Sequence, residues 1–511
     1  MSQLSPQLIL SIIIGYFLML IGISYLTSRG SNNESFFVAN RKSPWWLIAI
    51  GMVGTSISGV TFISVPGYVA SSSMSYMQMV FGFFLGYVII ATVLLPMYYK
   101  MNLISIYTYL DRRFGTTAYK TGSFFFILSR TIGASIRLFL MSKILHAFVI
   151  EPLFGISFWV TAFVTIALIW SYTFKGGVKT IIWTDTLQTL FLILSLIMTI
   201  VLIGQNMNLD ICGLISTVKN DARSQIFFFE NGWSDSKFFF KQFLAGASIA
   251  IVMSGLDQDI MQKILTVKNI KGAQTNMYAY SSILVLMNLL FLSLGILLFI
   301  FAAQHNIEIP TKEITTWANG ISSIITVPDT DLLFPTIALK YSSATIGILF
   351  VLGLTASSYA SADSALTSLT TAFCIDFLGF EKKDVNSPAN SKLRHQTHLG
   401  FSALFFVLIL VFQQIATGEI IKLVYDSASI TYGPLLGLFV FGFYTKRSII
   451  DRYSLWVCLA SIFITTAIYT YNGYLGNLIF GYKFGFELLL LNGLLTFMGL
   501  WAISKKGNHK M

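Results

Sequence analysis

Charge is scarce in this chain. Asp, Glu, Lys and Arg make up 11% of its 511 residues, against about 25% in soluble domains. Cysteine is scarcer still. Cys212, Cys374 and Cys458 stand far apart with no C-x-x-C spacing, so neither a disulfide framework nor a thiolate metal site is indicated. Histidine is rare too, and the five present are dispersed; with no visible nucleophile–base pair, the chain does not read as an enzyme and calls for no cofactor. No phosphate-binding loop is present: Lys175-Gly176-Gly177 is a short loop after a helix, which gives ATP-driven pumping no support. Met1–Gln7 lacks a basic stretch and no small-residue cleavage site follows the first apolar run, so no cleavable signal is expected. The tail Lys505–Met511 is too short for an attached soluble domain.

What the chain has in abundance is apolar sequence, at 55% of residues. Runs of 18 or more apolar residues, each long enough to cross a bilayer core of about 30 Å, recur throughout. Spans are predicted near 8–28, 46–70, 75–99, 121–149, 153–174, 180–204, 240–265, 274–303, 344–378, 399–417, 420–444, 453–471 and 485–504, with 344–378 long enough to be one tilted helix. Segments 205–239 and 304–343 read as outer loops holding short helices, and 380–398 as a charged inner loop.

The net charge of +11 has a topological explanation. Assigning alternate loops to one side collects 22 of the 33 basic residues. These are Arg29, Arg41 and Lys42; Lys100, Arg112, Arg113 and Lys120; Lys175 and Lys179; Lys263, Lys268 and Lys271; Lys382, Lys383, Lys392 and Arg394; Lys446, Arg447 and Arg452; and Lys505, Lys506 and Lys510. The positive-inside rule makes that side cytoplasmic, with the N-terminus outside and the C-terminus inside. The expected partner is therefore a lipid bilayer and not nucleic acid, and no obligate protein partner is evident.

Two of the spans are interrupted alike. The first, Trp46–Ala70, carries Gly51, Gly54, Thr55, Ser56, Ser58, Gly59, Pro66 and Gly67. The second, Phe240–Leu265, carries Gly246, Ser254, Gly255, Asp257, Gln258 and Asp259. A helix broken inside a membrane strands backbone groups at a cost of several kcal/mol each unless they find partners. Paired broken segments in corresponding halves point to a secondary transporter's binding site.

Other polar signals cluster elsewhere. Ser357, Ser361, Ser364 and Ser368 share one helical face, with Asp363 beside it. Small residues also simply let membrane helices approach, but a carboxylate costs roughly 2.5–3.5 kcal/mol at a span's centre and persists mostly where it pairs or coordinates. Oxygen ligands of this kind suit a hard cation. Asp185 lies in the polar patch Thr184-Asp185-Thr186-Leu187-Gln188; the alternative role is a charge favoured by the helix N-terminus. Arg137 stands seven residues, about two turns, from Arg130. A snorkelling structural arginine is the plain reading; the other is a fork that grips a carboxylate.

At these residues the chain resembles the sodium:solute symporters, which include sodium–glucose, sodium–proline and sodium–sialic acid carriers. The resemblance covers nearly the whole chain. It rests on Gly54-Thr55-Ser56-Ile57-Ser58-Gly59 through Phe62-Ile63-Ser64-Val65-Pro66-Gly67, the Gly176-Gly177 to Thr184-Asp185-Thr186-Leu187-Gln188 run, and Ala360-Ser361-Ala362-Asp363-Ser364. Asp257-Gln258 with Gln262-Lys263, and Tyr432-Gly433-Pro434-Leu435-Leu436-Gly437, add to it. It implies an all-α polytopic membrane protein with a LeuT-type core of two inverted five-helix repeats, about 46–204 and 240–444, after a leading helix 8–28 and before trailing helices 453–504. The setting it implies is a bacterial inner membrane. It also implies symport driven by inward sodium flow, by alternating access.

Carried over, the shared sodium site would use carbonyls at Gly54, Ile57 and Ser357, the Ser361 hydroxyl, and the position of Ala360, where many members have a second hydroxyl. A second sodium would resemble a site at Asp185 with Ser364, near Asp363. The solute would face Ser56, Ser58, Thr61, Gln78, Arg137 and Asp257 or Gln258. Arg137, with threonine at 61 where some sugar carriers have glutamine, favours an acidic sugar or organic acid over a neutral sugar or amino acid. A channel would need rings of charge or carbonyls, and a transporter-like sensor would need a signalling module.

Overall fold

The computed structural model of the protein describes residues 5–505 apart from 29–35, 38, 175–176, 231, 319–320, 381–386, 417–419, 472–481 and 483. Arg29, Lys175, Gly176, Lys382, Lys383, Lys506 and Lys510 therefore lie outside the described residues. Helix dominates because within a bilayer each backbone amide and carbonyl must be satisfied inside its own segment. The elements are α1 Pro6–Thr27, α2 Trp45–Ser56, α3 Gly59–Ser72, α4 Tyr76–Ile89, α5 Thr116–Leu145, α6 Phe158–Thr173, α7 Gly177–Asn206, α8 Phe239–Ala250, α9 Gln258–Ile264, α10 Ile270–Gln304, α11 Ala344–Ala372, α12 Pro388–Ile415, α13 Ile420–Thr431, α14 Gly433–Tyr444, α15 Ser454–Thr470 and α16 Leu488–Ala502. Every expected span contains helix. Among the described residues, eight helices are long and apolar enough to cross a membrane, and ten when each of two bent pairs counts once.

Both predicted interruptions are present. In the first, α2 stops at Ser56, Ile57 turns out of helical geometry (φ −83°, ψ 80°), and α3 starts at Gly59. Gly59 abuts α11 so closely that a Cβ there would strike the Ser358 hydroxyl. In the second, α8 runs into a π-helical turn, Ile251–Gly255, and the chain bends by 66° before α9. Asp257 caps α9, its carboxylate accepting from the Asp259 amide at 2.8 Å, as a helix N-terminus favours.

A third bend, of 46° between α13 and α14, lies in what the sequence presents as one span, 420–444. Pro434, in the first turn of α14, has no amide to continue the preceding helix, and its apolar ring leaves no mark on the hydropathy. The outer segments also differ from expectation in part. A short helix, Ile211–Asn220, fills the first, but the second forms an antiparallel hairpin, Thr311–Ala318 with Ile321–Pro328. The inner loop is shorter than 380–398, since α12 begins at Pro388 with Ser387 accepting from the Asn390 amide.

Glycines set the helix contacts that hold this frame. A Cβ on Gly246 of α8 would meet the Met79 carbonyl of α4, and one on Gly295 of α10 would meet the Pro66 carbonyl of α3. Such small-residue contacts supply the close packing that replaces hydrophobic driving force in lipid.

Candidate functional site

The two breaks open onto one cavity. Thr55, Ser56, Ile57, Ser58 and Thr61 come from the first, and Ser254 and Ile260 from the second. Arg130 and Arg137 come from α5, Tyr76 and Tyr87 from α4, Asn288 from α10 and Tyr425 from α13. The Ser56 hydroxyl shares a 2.6 Å hydrogen bond with the Tyr280 hydroxyl, which also meets that of Tyr87 at 3.0 Å. At another point on the wall the hydroxyls of Tyr76 and Tyr425 lie 2.7 Å apart. One oxygen of Asn288 is buried without a partner.

Around this cavity two buried cations are ion-paired, and two further carboxylates accept from tyrosine hydroxyls. Arg130 is ion-paired with Asp259, whose other oxygen accepts from Ser364 of α11. Lys263 of α9 reaches Asp185 of α7 at 2.5 Å, and Thr55 donates to the same carboxylate oxygen at 3.0 Å. Asp257 accepts from the Tyr432 hydroxyl at 2.5 Å, and Asp363 from that of Tyr172 at 3.0 Å. Arg137 differs. Among the described residues its polar contact is the Ser361 hydroxyl at 3.3 Å, and its Nε has no partner.

Residues 36–451 match the sodium:solute symporter family. The chain belongs to that family. It is a multi-pass integral membrane protein that uses sodium to drive solute symport. A sodium/sialic acid symporter of Aliivibrio fischeri is 24% identical over 84% of this chain and 81% of its own length. A sodium/sialic acid symporter of Proteus mirabilis is 23% identical over 86% and 85%. Among solved structures, an outward-open sodium-coupled sialic acid symporter superposes with a TM-score of 0.76 at 18% identity over 98% of this chain and 99% of that one. The nucleobase–cation symporter Mhp1 gives 0.52 at 15% identity over 91% and 93%. These likenesses give the symporter a LeuT-type fold.

Of the residues predicted to face the solute, Ser56, Ser58, Thr61 and Arg137 line the cavity. Three do not. Gln78 donates to the Lys237 carbonyl at 2.8 Å and accepts from the Phe228 amide at 3.1 Å, pinning the outer loop. Gln258 donates to the Ile104 carbonyl at 2.8 Å and accepts from the Ile106 amide at 3.0 Å. Asp257 caps α9 and holds Tyr432. Irregular backbone near a break needs hydrogen-bond partners when buried, and these side chains supply them.

The residues expected at the sodium site fall where the first break meets α11. Ile57 and Ser58 are buried beside the cavity, Gly59 abuts Ser358, and Ser357, Ala360 and Ser361 are each at most 1% exposed. Gly54 packs closely on Thr189 of α7. Asp185 lies nine residues into α7, past the first turn, which removes the helix-end explanation of its charge. Among the described residues, one oxygen each of Asp185 and Asp363 is buried without a hydrogen-bond partner.

Lys263 corrects the topological reading. It was counted with the inner loop, yet it is 3% exposed and ion-paired inside the bundle. The signal that could have found the ion pairs is the rule that intramembrane charges seldom stand alone. Tyr87, Tyr280 and Asn288 carry no such signal in the sequence.

Proposed function

We propose that this symporter imports a small solute bearing a carboxylate, an acidic sugar or organic acid, with Arg137 as its anchor. One observation carries the reading: a guanidinium lines the cavity without a carboxylate partner, while Arg130 and Lys263 each have one. A planar fork of donors matches a carboxylate bidentately, and Ser56, Ser58 and Thr61 offer hydroxyls for the rest of the solute. The relatives that carry sialic acid agree with this chemistry. In this reading sodium is held by carbonyls at Gly54, Ile57 and Ser357 with the Ser361 hydroxyl, a carbonyl or water replacing the hydroxyl that Ala360 lacks, and a second sodium by Asp185 with Ser364, near Asp363. The repeats run about 46–204 and 240–444, and the protein sits in a bacterial inner membrane with its C-terminus cytoplasmic, needing no partner protein.

The test is a thermal-shift panel of sialic acids, monocarboxylates, neutral sugars and amino acids in sodium chloride against choline chloride, followed by uptake into proteoliposomes. The carboxylates should bind, and Arg137→Lys should lose most of that binding, since truncating one partner of a desolvated charge pair costs about 2–5 kcal/mol. A neutral sugar that binds tightly and still binds Arg137→Ala would show the arginine to be structural.

A further inference from the structure

Arg130 and Arg137 occupy one side of α5, two turns apart, yet the structure treats them differently. Arg130 is locked between Asp259 and, through it, Ser364. Arg137 is partly buried with its Nη1 on the Ser361 oxygen at 3.3 Å and its Nε unpartnered. That oxygen is the side-chain ligand of the sodium site argued above. A guanidinium on it places a positive charge within a few ångströms of the proposed sodium.

We infer that Arg137 is the coupling residue: it opposes sodium at Ser361 until a solute carboxylate draws its charge away. The inference rests on the sodium-site reading and deepens it. With the cavity empty, the guanidinium repels the ion and competes for its ligand. With a carboxylate bound, the guanidinium is neutralised and turned toward the solute, so Ser361 is released. Linkage makes the effect mutual, so sodium at Ser361 strengthens the solute's hold by the same factor. The arrangement also limits leak, because sodium without solute meets the guanidinium at its own ligand.

Sodium titrations without any solute separate this idea from the site reading. The full-length protein in detergent is titrated with sodium chloride at constant ionic strength in choline chloride, by thermal shift or calorimetry. Arg137→Gln should bind sodium more tightly than the native protein, by at least about tenfold at a separation of a few ångströms, and in proteoliposomes should leak sodium without solute. Arg137→Met serves in place of Arg137→Gln should that variant not fold. Arg137→Gln binding sodium no more tightly, while Ser361→Ala binds it more weakly, overturns the coupling role alone. A Ser361→Ala titration that matches the native one overturns the sodium site and the coupling role together.

Discussion

Removing one member of the Lys263–Asp185 pair should cost far more than removing both. Lys263 Nζ lies 2.5 Å from Asp185 Oδ2, with exposures of 4% and 0%, and also 2.5 Å from the Thr55 hydroxyl. At that separation Coulomb's law with an effective dielectric of about 20 gives an attraction of about 6–7 kcal/mol before desolvation is subtracted. Asp185→Asn strands a buried ammonium, and Lys263→Met strands a buried carboxylate within reach of Asp363. Breaking a buried pair from one side costs about 3–5 kcal/mol, whereas replacing both charges is often near neutral. The double variant Asp185→Asn/Lys263→Met should therefore be more stable than either single one, with a coupling energy of at least about 3 kcal/mol. Reversible unfolding in mixed detergent micelles measures all four corners of the cycle. Costs that simply add, within about 0.5 kcal/mol, would refute the ion pair as a stabilising contact.

Two further substitutions discriminate between ligand and scaffold. Ser361→Ala should raise the sodium concentration for half-maximal uptake roughly tenfold, since a hydrogen-bonding or ligating contact to a charge is worth about 1.5–3 kcal/mol, and Ala360→Ser should move it the other way; an unchanged sodium dependence sinks the assignment. Gln78→Leu should destabilise the protein by about 1–3 kcal/mol by orphaning two backbone groups, yet leave solute affinity within about twofold, and a selective loss of solute binding would return Gln78 to the cavity.

Much of the fold was legible because lipid makes sequence and structure agree locally: an apolar run is a helix, and glycine, serine and aspartate inside one mark a break. The bend at Tyr432 was hidden because glycine and proline in the run Gly433–Gly437 leave it apolar. The hairpin 311–328 did carry a signal, Asn319-Gly320 between two runs rich in Ile and Thr, the dipeptide that two-residue hairpin turns favour, which hydropathy alone does not weigh. At the site, the hydroxyls of the first break could be read directly, since a break exposes its own neighbours. Gln78, Gln258 and Lys263 could not be placed. Their partners, Lys237, Ile106 and Asp185, lie 159, 152 and 78 positions away. A buried polar group announces only that it needs a partner, not which one.

The charges that surround the cavity bear on stoichiometry. Asp185, Asp257, Asp259 and Asp363 stand against Arg130, Arg137 and Lys263, all but Arg137 almost wholly buried, so the ionised set carries one net negative charge. A carboxylate solute makes it two. One sodium restores a single negative charge, and two bring the loaded carrier to neutrality, the state in which moving helices past one another in lipid costs least. The unpartnered oxygens of Asp185 and Asp363 are where the proposed second ion would find acceptors. Two sodium ions per monovalent anion move one net positive charge per solute, which reversal-potential measurements on proteoliposomes read directly. Asp363→Asn, whose amide oxygen can still accept from Tyr172, and Asp185→Asn in its folded fraction should each bring that ratio to zero by losing one sodium. Inward charge movement of one per solute that persists in both variants would remove the second ion from these carboxylates and leave them with a purely structural part.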